Sequence, residues 1–225
     1  MGGDAARQGG RRALSDEPPP PPLLVADALL ATGPRGVVFG PVSVAVARGE
    51  LVCVAGPGGS GRTGLLLALA GRFRLAGGSV VVDGAGPDVR RACAVARAGD
   101  AVTLDELWTV GEAIAHRGVL AGRGVEPAVR ARLARAGLEL SGSAPLWSLS
   151  AFASFILDVA LAAAEDTPVV VVDDVDRGLT PGDERRAWIA LEALAGDGRA
   201  VVGATHDASA ARGLASKTIT LGGAR

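Results

Sequence analysis

The segment LVCVAGPGGSGRTGLLLALAG, from Leu51 to Gly71, decides the fold. Its first residues, Leu51 to Ala55, form a continuous apolar run, which is typical of a strand that helices cover on both faces. A glycine-rich turn follows, and then an apolar helix-forming run. The segment therefore predicts a strand, a tight turn and a buried helix in direct succession.

The turn fits the phosphate-binding pattern G-x-x-x-x-G-K-[ST], with arginine in place of the lysine. Glycines let the backbone bend and aim several N–H groups inward, and the N-terminus of the following helix adds positive charge. The threonine hydroxyl is suited to ligate the Mg²⁺ that accompanies phosphates. The candidate nucleotide-binding residues are Gly56, Pro57, Gly58, Gly59, Ser60, Gly61, Arg62 and Thr63.

The glycine spacing alone carries little weight. With 33 glycines in 225 residues, G-x-x-x-x-G arises by chance about five times. The strand before the loop, the helix after it, the basic residue and the hydroxyl together favour a phosphate site. A glycine-rich turn without a ligand is the alternative.

Composition narrows the classes of function. Lys plus Arg number 23 and Asp plus Glu 24, so the chain lacks the basic excess that nucleic-acid binding requires, and we expect no nucleic-acid partner. No run in the sequence reaches the roughly 18 apolar residues that a membrane span needs. Cys53 and Cys93 lie in apolar runs, and we interpret them as buried apolar residues rather than as a disulfide. We expect a cytoplasmic protein with a disordered, proline-rich tail at 1–22 and a folded domain at 23–225.

Short apolar runs alternate with helical segments, which predicts an α/β fold. The further strand candidates are 80–82, 93–96, 169–172 and 201–204. Between Asp105 and Asp166 only helical segments appear, at 105–119, 126–136 and 150–164, so a helical subdomain is predicted at about 100–166. Another helix is predicted from Pro181 to Gly196, with Thr180 as its cap.

Polar residues follow two of these strands. Asp173 and Asp174 end the run VVVVDD, where paired carboxylates could hold Mg²⁺ and polarise water. His206 follows the run VVGAT, at the strand end where ligands bind in open α/β sheets. The alternatives are a strand that meets a solvated loop and a structural histidine.

The segment Val37 to Gly84 resembles the start of an ATP-binding cassette (ABC) ATPase, the nucleotide-binding subunit of ABC transporters. GPGGSGRT is similar to its Walker A motif, VVVVDD to Walker B, RGL at 177–179 to the D-loop and ATHD to the switch-histidine loop. The resemblance extends from about Leu23 to Gly223. It implies a P-loop NTPase fold: a mixed sheet with a RecA-like parallel core, an antiparallel β subdomain and an inserted helical subdomain.

The resemblance also implies roles. ATP would bind at Gly56 to Thr63, with Mg²⁺ at Thr63 and Asp173, water polarised by Asp174, and His206 sensing the γ-phosphate. The implied partners are a membrane-spanning transporter subunit and a second ATP-binding subunit, in a homodimer or a heterodimer. The implied location is the inner face of the cell membrane, reached through the partner.

Several functional positions depart from the family pattern. Arg62 replaces the Walker A lysine, Arg97 falls near the Q-loop glutamine, and Asp174 replaces the catalytic glutamate. The signature LSGGQ is LSAFA at 149–153, and we expect Phe152 to obstruct approach to a partner's nucleotide. A cation at residue 97 would oppose Mg²⁺ unless it contacts phosphate.

Two further positions differ. The D-loop aspartate is Thr180, and the aromatic residue that stacks on adenine is absent near Thr32, with Phe39 as a weak substitute. Three functions stay open: a working ATPase that drives its membrane partner, a hydrolysis-poor regulatory or asymmetric-heterodimer subunit, and a nucleotide-free interaction protein. The altered positions favour ATP binding over fast turnover.

Overall fold

The computed structural model describes residues 21–34, 36–99 and 104–222. An antiparallel sheet has the order β2-β1-β4, and a parallel sheet has the order β5-β6-β7-β3-β8. The strands are β1 (Pro22–Gly33), β2 (Gly36–Ala47), β3 (Leu51–Ala55), β4 (Gly77–Val82), β5 (Cys93–Arg97), β6 (Val169–Val172), β7 (Ala200–Thr205) and β8 (Lys217–Thr220).

Helices separate many of these strands along the chain. They are α1 (Arg62–Leu69), α2 (Val89–Ala92), α3 (Val110–Ala121), α4 (Val125–Arg135), α5 (Ala151–Ala163) and α6 (Pro181–Gly196), with short 3₁₀ helices at Leu146–Ser148 and Ala208–Ala211. The α/β architecture with helices α3 to α5 between β5 and β6 agrees with the predicted fold. Most of the predicted tail, residues 1–20, lies outside the described residues, and β1 begins at Pro22.

The parallel sheet has a hydrophobic core on each face. Along β3, Leu51, Cys53 and Ala55 point to the side of α5 and α6, whereas Val52 and Val54 point to the side of α1. This double burial explains why the strand is apolar throughout. Burial also raises the pKa of Cys53 to about 12, and Cys53 is a free thiol, as predicted.

Two predicted elements differ from the structure. The run Val80–Val82 belongs to β4 in the antiparallel sheet, not to the parallel sheet. Helix α3 begins at Val110 rather than at Asp105, because Thr109 forms a capping box with Glu112 and so fixes the start of the helix. Helix α6 has the predicted bounds and the predicted Thr180 cap.

Within the part of the chain that the structure describes, no helix combines the length and apolar character needed to cross a membrane.

Candidate functional site

The candidate residues meet at one edge of the parallel sheet. Strands β6, β7 and β3 are neighbours and run parallel, so their carboxyl ends share an edge. The glycine-rich loop follows β3, Asp173 and Asp174 follow β6, and His206 follows β7. The order of the strands therefore brings together the three segments that the sequence singled out.

The loop between β3 and α1 has the conformation that its glycines allow. Gly61, which precedes α1, has φ 89°, in a region that favours glycine. A Cβ atom at Gly61 would lie 2.2 Å from the backbone oxygen of Val38 in β2. Gly58 and Gly59 at the tip are exposed, so their backbone is accessible to a ligand next to the N-terminus of α1.

Thr63 at the start of α1 contacts the buried Asp173, which follows β6. The Thr63 hydroxyl donates a hydrogen bond to the Asp173 carboxylate, which is fully buried. Burial raises the pKa of Asp173, the hydrogen bond from Thr63 opposes this, and the neighbouring Asp174 carboxylate adds to the increase. A hydroxyl oxygen beside a carboxylate fits the oxygen ligands that Mg²⁺ prefers.

Arg62 lies inside the site, and only 7% of the residue is exposed. Its guanidinium donates a hydrogen bond to the backbone oxygen of Gly56. Its Nη2 atom lies 3.4 Å from Asp174 Oδ1 and 3.1 Å from His206 Nε2. The side chain therefore bridges the loop, Asp174 and His206.

Asp174 reaches Arg62 from an unusual backbone conformation. Its φ is 46°, a left-handed value that is uncommon for residues other than glycine. The Asp174 N–H donates to the Asp173 carboxylate at 2.9 Å. The two consecutive carboxylates therefore point in different directions: Asp173 contacts Thr63, and Asp174 contacts Arg62.

His206 is held by Asp176, which sequence reasoning missed although it is the third carboxylate after β6. Asp176 Oδ2 lies 2.7 Å from His206 Nδ1 and accepts the backbone N–H of His206 at 3.1 Å. A neutral imidazole with its proton on Nδ1 donates to Asp176 and accepts from Arg62, which satisfies both contacts.

Asp174, Asp176 and His206 also have the spacing of a metal site, because one ligand atom from each lies within 4.8 Å of the others. The Arg62 guanidinium already contacts Asp174 and His206. A second cation beside this guanidinium would be repelled. The pair of Thr63 and Asp173 is therefore the better candidate for Mg²⁺.

Arg97 does not reach the loop. Its Nε atom pairs with Asp158 of α5 at 3.1 Å. Burial raises the pKa of Asp158 to about 6, with Arg97 and Arg117 acting in the opposite direction. The Arg97 side chain is thus paired with a carboxylate of α5, and its opposition to Mg²⁺ stays a prediction.

The interpretation of Phe152 as an obstruction is wrong. Phe152 is 6% exposed, and the guanidinium carbon of Arg186 in α6 lies 4.0 Å from its ring centroid. Helical periodicity turns residue 152 inward, whereas Ser150 and Ala151 stay exposed at the start of α5. The surface that the signature segment presents is therefore formed by Ser150 and Ala151.

Phe39 is also a core residue. It is 4% exposed and packs against Phe73, with 6.2 Å between ring centroids. A Cβ at Gly64 would lie 3.3 Å from this ring. Phe39 supports the first turn of α1 and is not available to stack on a nucleotide base.

Comparisons with known proteins identify the family. No family model matches the chain. The hemin import ATP-binding protein HmuV of Nocardia farcinica is 30% identical over 220 residues, which cover 90% of this chain and 73% of that protein. The cytochrome c biogenesis ATP-binding export protein CcmA of Nitrobacter winogradskyi is 31% identical over 188 residues, which cover 83% of this chain and 92% of that protein.

Solved structures share the fold. An ATP-binding subunit of an ABC transporter matches with a TM-score of 0.73 and 21% identity, over 88% of this chain and 85% of that chain. A dimeric ATP-binding cassette in a post-hydrolysis state, bound to ADP and Pi, matches with a TM-score of 0.73 and 22% identity, over 90% of this chain and 97% of that chain. The chain belongs to the family of ATP-binding subunits of ABC transporters.

Proposed function

We propose that residues 56–63 of this subunit bind the phosphates of a nucleotide and that Thr63 and Asp173 hold the accompanying Mg²⁺. The observation that carries the proposal is the contact between the Thr63 hydroxyl and the buried Asp173 carboxylate at the start of α1. Two oxygen ligands and a helix N-terminus then lie beside a loop with an exposed backbone. Mg²⁺ would screen phosphate charge and favour the ionised form of Asp173.

Hydrolysis by this site is proposed to be slow. Asp174, the candidate for polarising water, is paired with Arg62, and His206 faces the same guanidinium. A carboxylate held by a cation is a poorer proton acceptor. This contact favours a hydrolysis-poor subunit of an asymmetric pair over a subunit with fast turnover of its own.

The partners belong to the same proposal. We infer a membrane-spanning transporter subunit at the inner face of the cell membrane and a second ATP-binding subunit. A cavity of about 460 Å³ near Asp174 supports a docking role, since its rim includes Trp147, which is 67% exposed. Aromatic side chains are more frequent in protein–protein interfaces than on the rest of the surface.

Calorimetric titration of ATP and of ADP, each with and without Mg²⁺, tests the proposal. We expect saturable binding that Mg²⁺ strengthens, and we expect Thr63→Ala to remove the dependence on Mg²⁺. Exposed Thr218 offers a matched control in Thr218→Ala. If neither nucleotide binds at millimolar concentration, the proposed function is wrong.

Steady-state hydrolysis separates the two kinds of subunit. Turnover near background in the wild type, with little further loss in Asp174→Asn, supports the hydrolysis-poor subunit. Rapid turnover that Asp174→Asn abolishes would instead identify a working ATPase.

A further inference from the structure

We propose that the Arg62 side chain fills the γ-phosphate end of the site, so that the chain binds nucleoside diphosphates in preference to nucleoside triphosphates. This inference rests on the proposed function, because it assumes that the loop binds phosphate. It goes beyond that function by assigning a selectivity and the residue that determines it.

The contacts of Arg62 identify the end of the site that it fills. The residue at this position of the loop motif reaches the β- and γ-phosphates. Asp174 and His206 stand where groups that act on the γ-phosphate and its attacking water are expected. The guanidinium lies between these two side chains and also donates to the Gly56 oxygen.

The burial of Arg62 shows that this end of the site is filled. Only 7% of the residue is exposed, and the guanidinium occupies the space between Gly56, Asp174 and His206, all three of which it contacts. The cavity of about 460 Å³ near Asp174 is separate from the loop, since no loop residue from 56 to 63 is among the described residues that line it.

The tip of the loop is open. Gly58 and Gly59 are exposed, and a Cβ at either glycine would meet no heavy atom within 4 Å. Thr63 and Asp173 contact each other, and in the described residues neither has a hydrogen bond to the Arg62 guanidinium. Two phosphates and Mg²⁺ could therefore bind while Arg62 keeps its contacts.

A third phosphate would require Arg62 to move. If the guanidinium moved to pair with the γ-phosphate, Asp174 would be left without its cation next to an added negative charge. If it stayed, the phosphate would compete with it for the same volume. A lysine has a compact ammonium group on a flexible stem and cannot form the same forked contacts, so it would release this end of the site.

The experiment compares ADP with a non-hydrolysable ATP analogue, each titrated with Mg²⁺ by calorimetry against the full chain. We expect the wild type to bind ADP about tenfold or more tightly than the analogue. Arg62→Lys should bring the two affinities within about threefold, mainly by strengthening analogue binding. Arg48→Lys is the matched control, since Arg48 is exposed and precedes β3, whereas the loop follows the other end of that strand, and it should keep the wild-type ratio.

The outcomes distinguish the two proposals. Equal affinities for ADP and the analogue in the wild type would overturn the selectivity while leaving the proposed function intact. An unchanged preference in a folded Arg62→Lys variant would also overturn the role of Arg62. If the variant does not fold, the wild-type ratio still decides the selectivity. If the wild type binds neither ligand, both proposals fail.

Discussion

Gly61 controls the shape of the glycine-rich loop between β3 and α1 because two restrictions coincide there. Its φ of 89° disfavours any other residue, and a Cβ would lie 2.2 Å from the Val38 oxygen and 2.9 Å from the Phe39 Cβ. Strand β2 thus packs directly on the turn that leads into α1. The close approach links the antiparallel sheet to the candidate site.

We expect Gly61→Ala to lower the free energy of unfolding by about 2 kcal/mol or more, since it adds both a clash and a strained φ. Urea denaturation measures this loss. Gly58→Ala is the control, because a Cβ there meets no heavy atom within 4 Å, and its effect should stay within about 0.5 kcal/mol. Equal stability of the two variants would contradict the prediction.

Asp158 should make stability depend on pH. Its folded pKa of about 6 is above the usual 3.8, so the folded protein binds this proton more tightly than the unfolded chain. The resulting stabilisation is complete at low pH and is lost as the pH rises through about 6.

The stability of the wild type relative to Asp158→Asn should therefore fall by about 1 kcal/mol between about pH 5 and pH 7.5. Urea denaturation of both proteins at each pH measures the difference. Asp197→Asn is the control: the hydrogen bond from Arg135 lowers the pKa of Asp197, so its effect should be constant over this range. A constant effect of Asp158→Asn would contradict the assigned shift.

The sequence predicts the contacts of some site residues but not of others. Thr63 and Asp173 could be paired in advance, because the loop motif and the apolar strand before Asp173 place both at one sheet edge. The contacts of Arg62 could not be predicted from the sequence. Its long side chain has several donors, and the acceptors that they contact are brought together only by the fold. Phe152 was wrongly expected on the surface, because the signature motif specifies residue types but does not show which face of the helix each residue occupies.

Helix α3 illustrates how a local signal sets the limits of an element. The Thr109 hydroxyl accepts the Glu112 N–H at 3.2 Å, and the Glu112 carboxylate accepts the Thr109 N–H at 2.7 Å. The T-x-x-E pattern that encodes this capping box is present in the sequence, so the start at Val110 could have been predicted. The bounds of α6 were predicted because Thr180 and Pro181 give a similar signal.

We expect Thr109→Ala to lower the free energy of unfolding by about 1 kcal/mol, because one N–H at the start of α3 loses its partner. Thr109→Ser retains the hydroxyl and should restore most of that stability. Chemical denaturation of the three proteins measures both effects. Similar losses in the alanine and serine variants would show that the hydroxyl is not responsible.

The parallel sheet brings distant parts of the chain together. The candidate site residues come from three separate segments, and all of them lie at one edge of this sheet. That convergence followed from the sequence, since apolar strands and their polar ends revealed the topology. The sequence did not predict which residues are exposed on the surfaces that partners would contact. Ser150 and Ala151 are exposed at the start of α5 because α6 and the core take the next residues.

Assembly with a second copy should be weak for two independent reasons. In the family to which the chain belongs, glycines of the signature segment let the backbone approach the partner's nucleotide, and Ala151 places a methyl group there. Arg62 also disfavours the triphosphate that would lie between two copies. We therefore expect the wild type to stay monomeric at micromolar concentration with Mg²⁺ and a non-hydrolysable ATP analogue.

Light scattering coupled to size-exclusion chromatography measures this outcome, and a dimer that depends on the analogue would contradict it. Arg62→Lys should bind the analogue and remain monomeric, because the Ala151 methyl group is unchanged. If Arg62→Lys combined with Ala151→Gly then dimerises, the exposed start of α5 is the second barrier. Dimerisation of Arg62→Lys alone would instead show that nucleotide selectivity by itself keeps the copies apart.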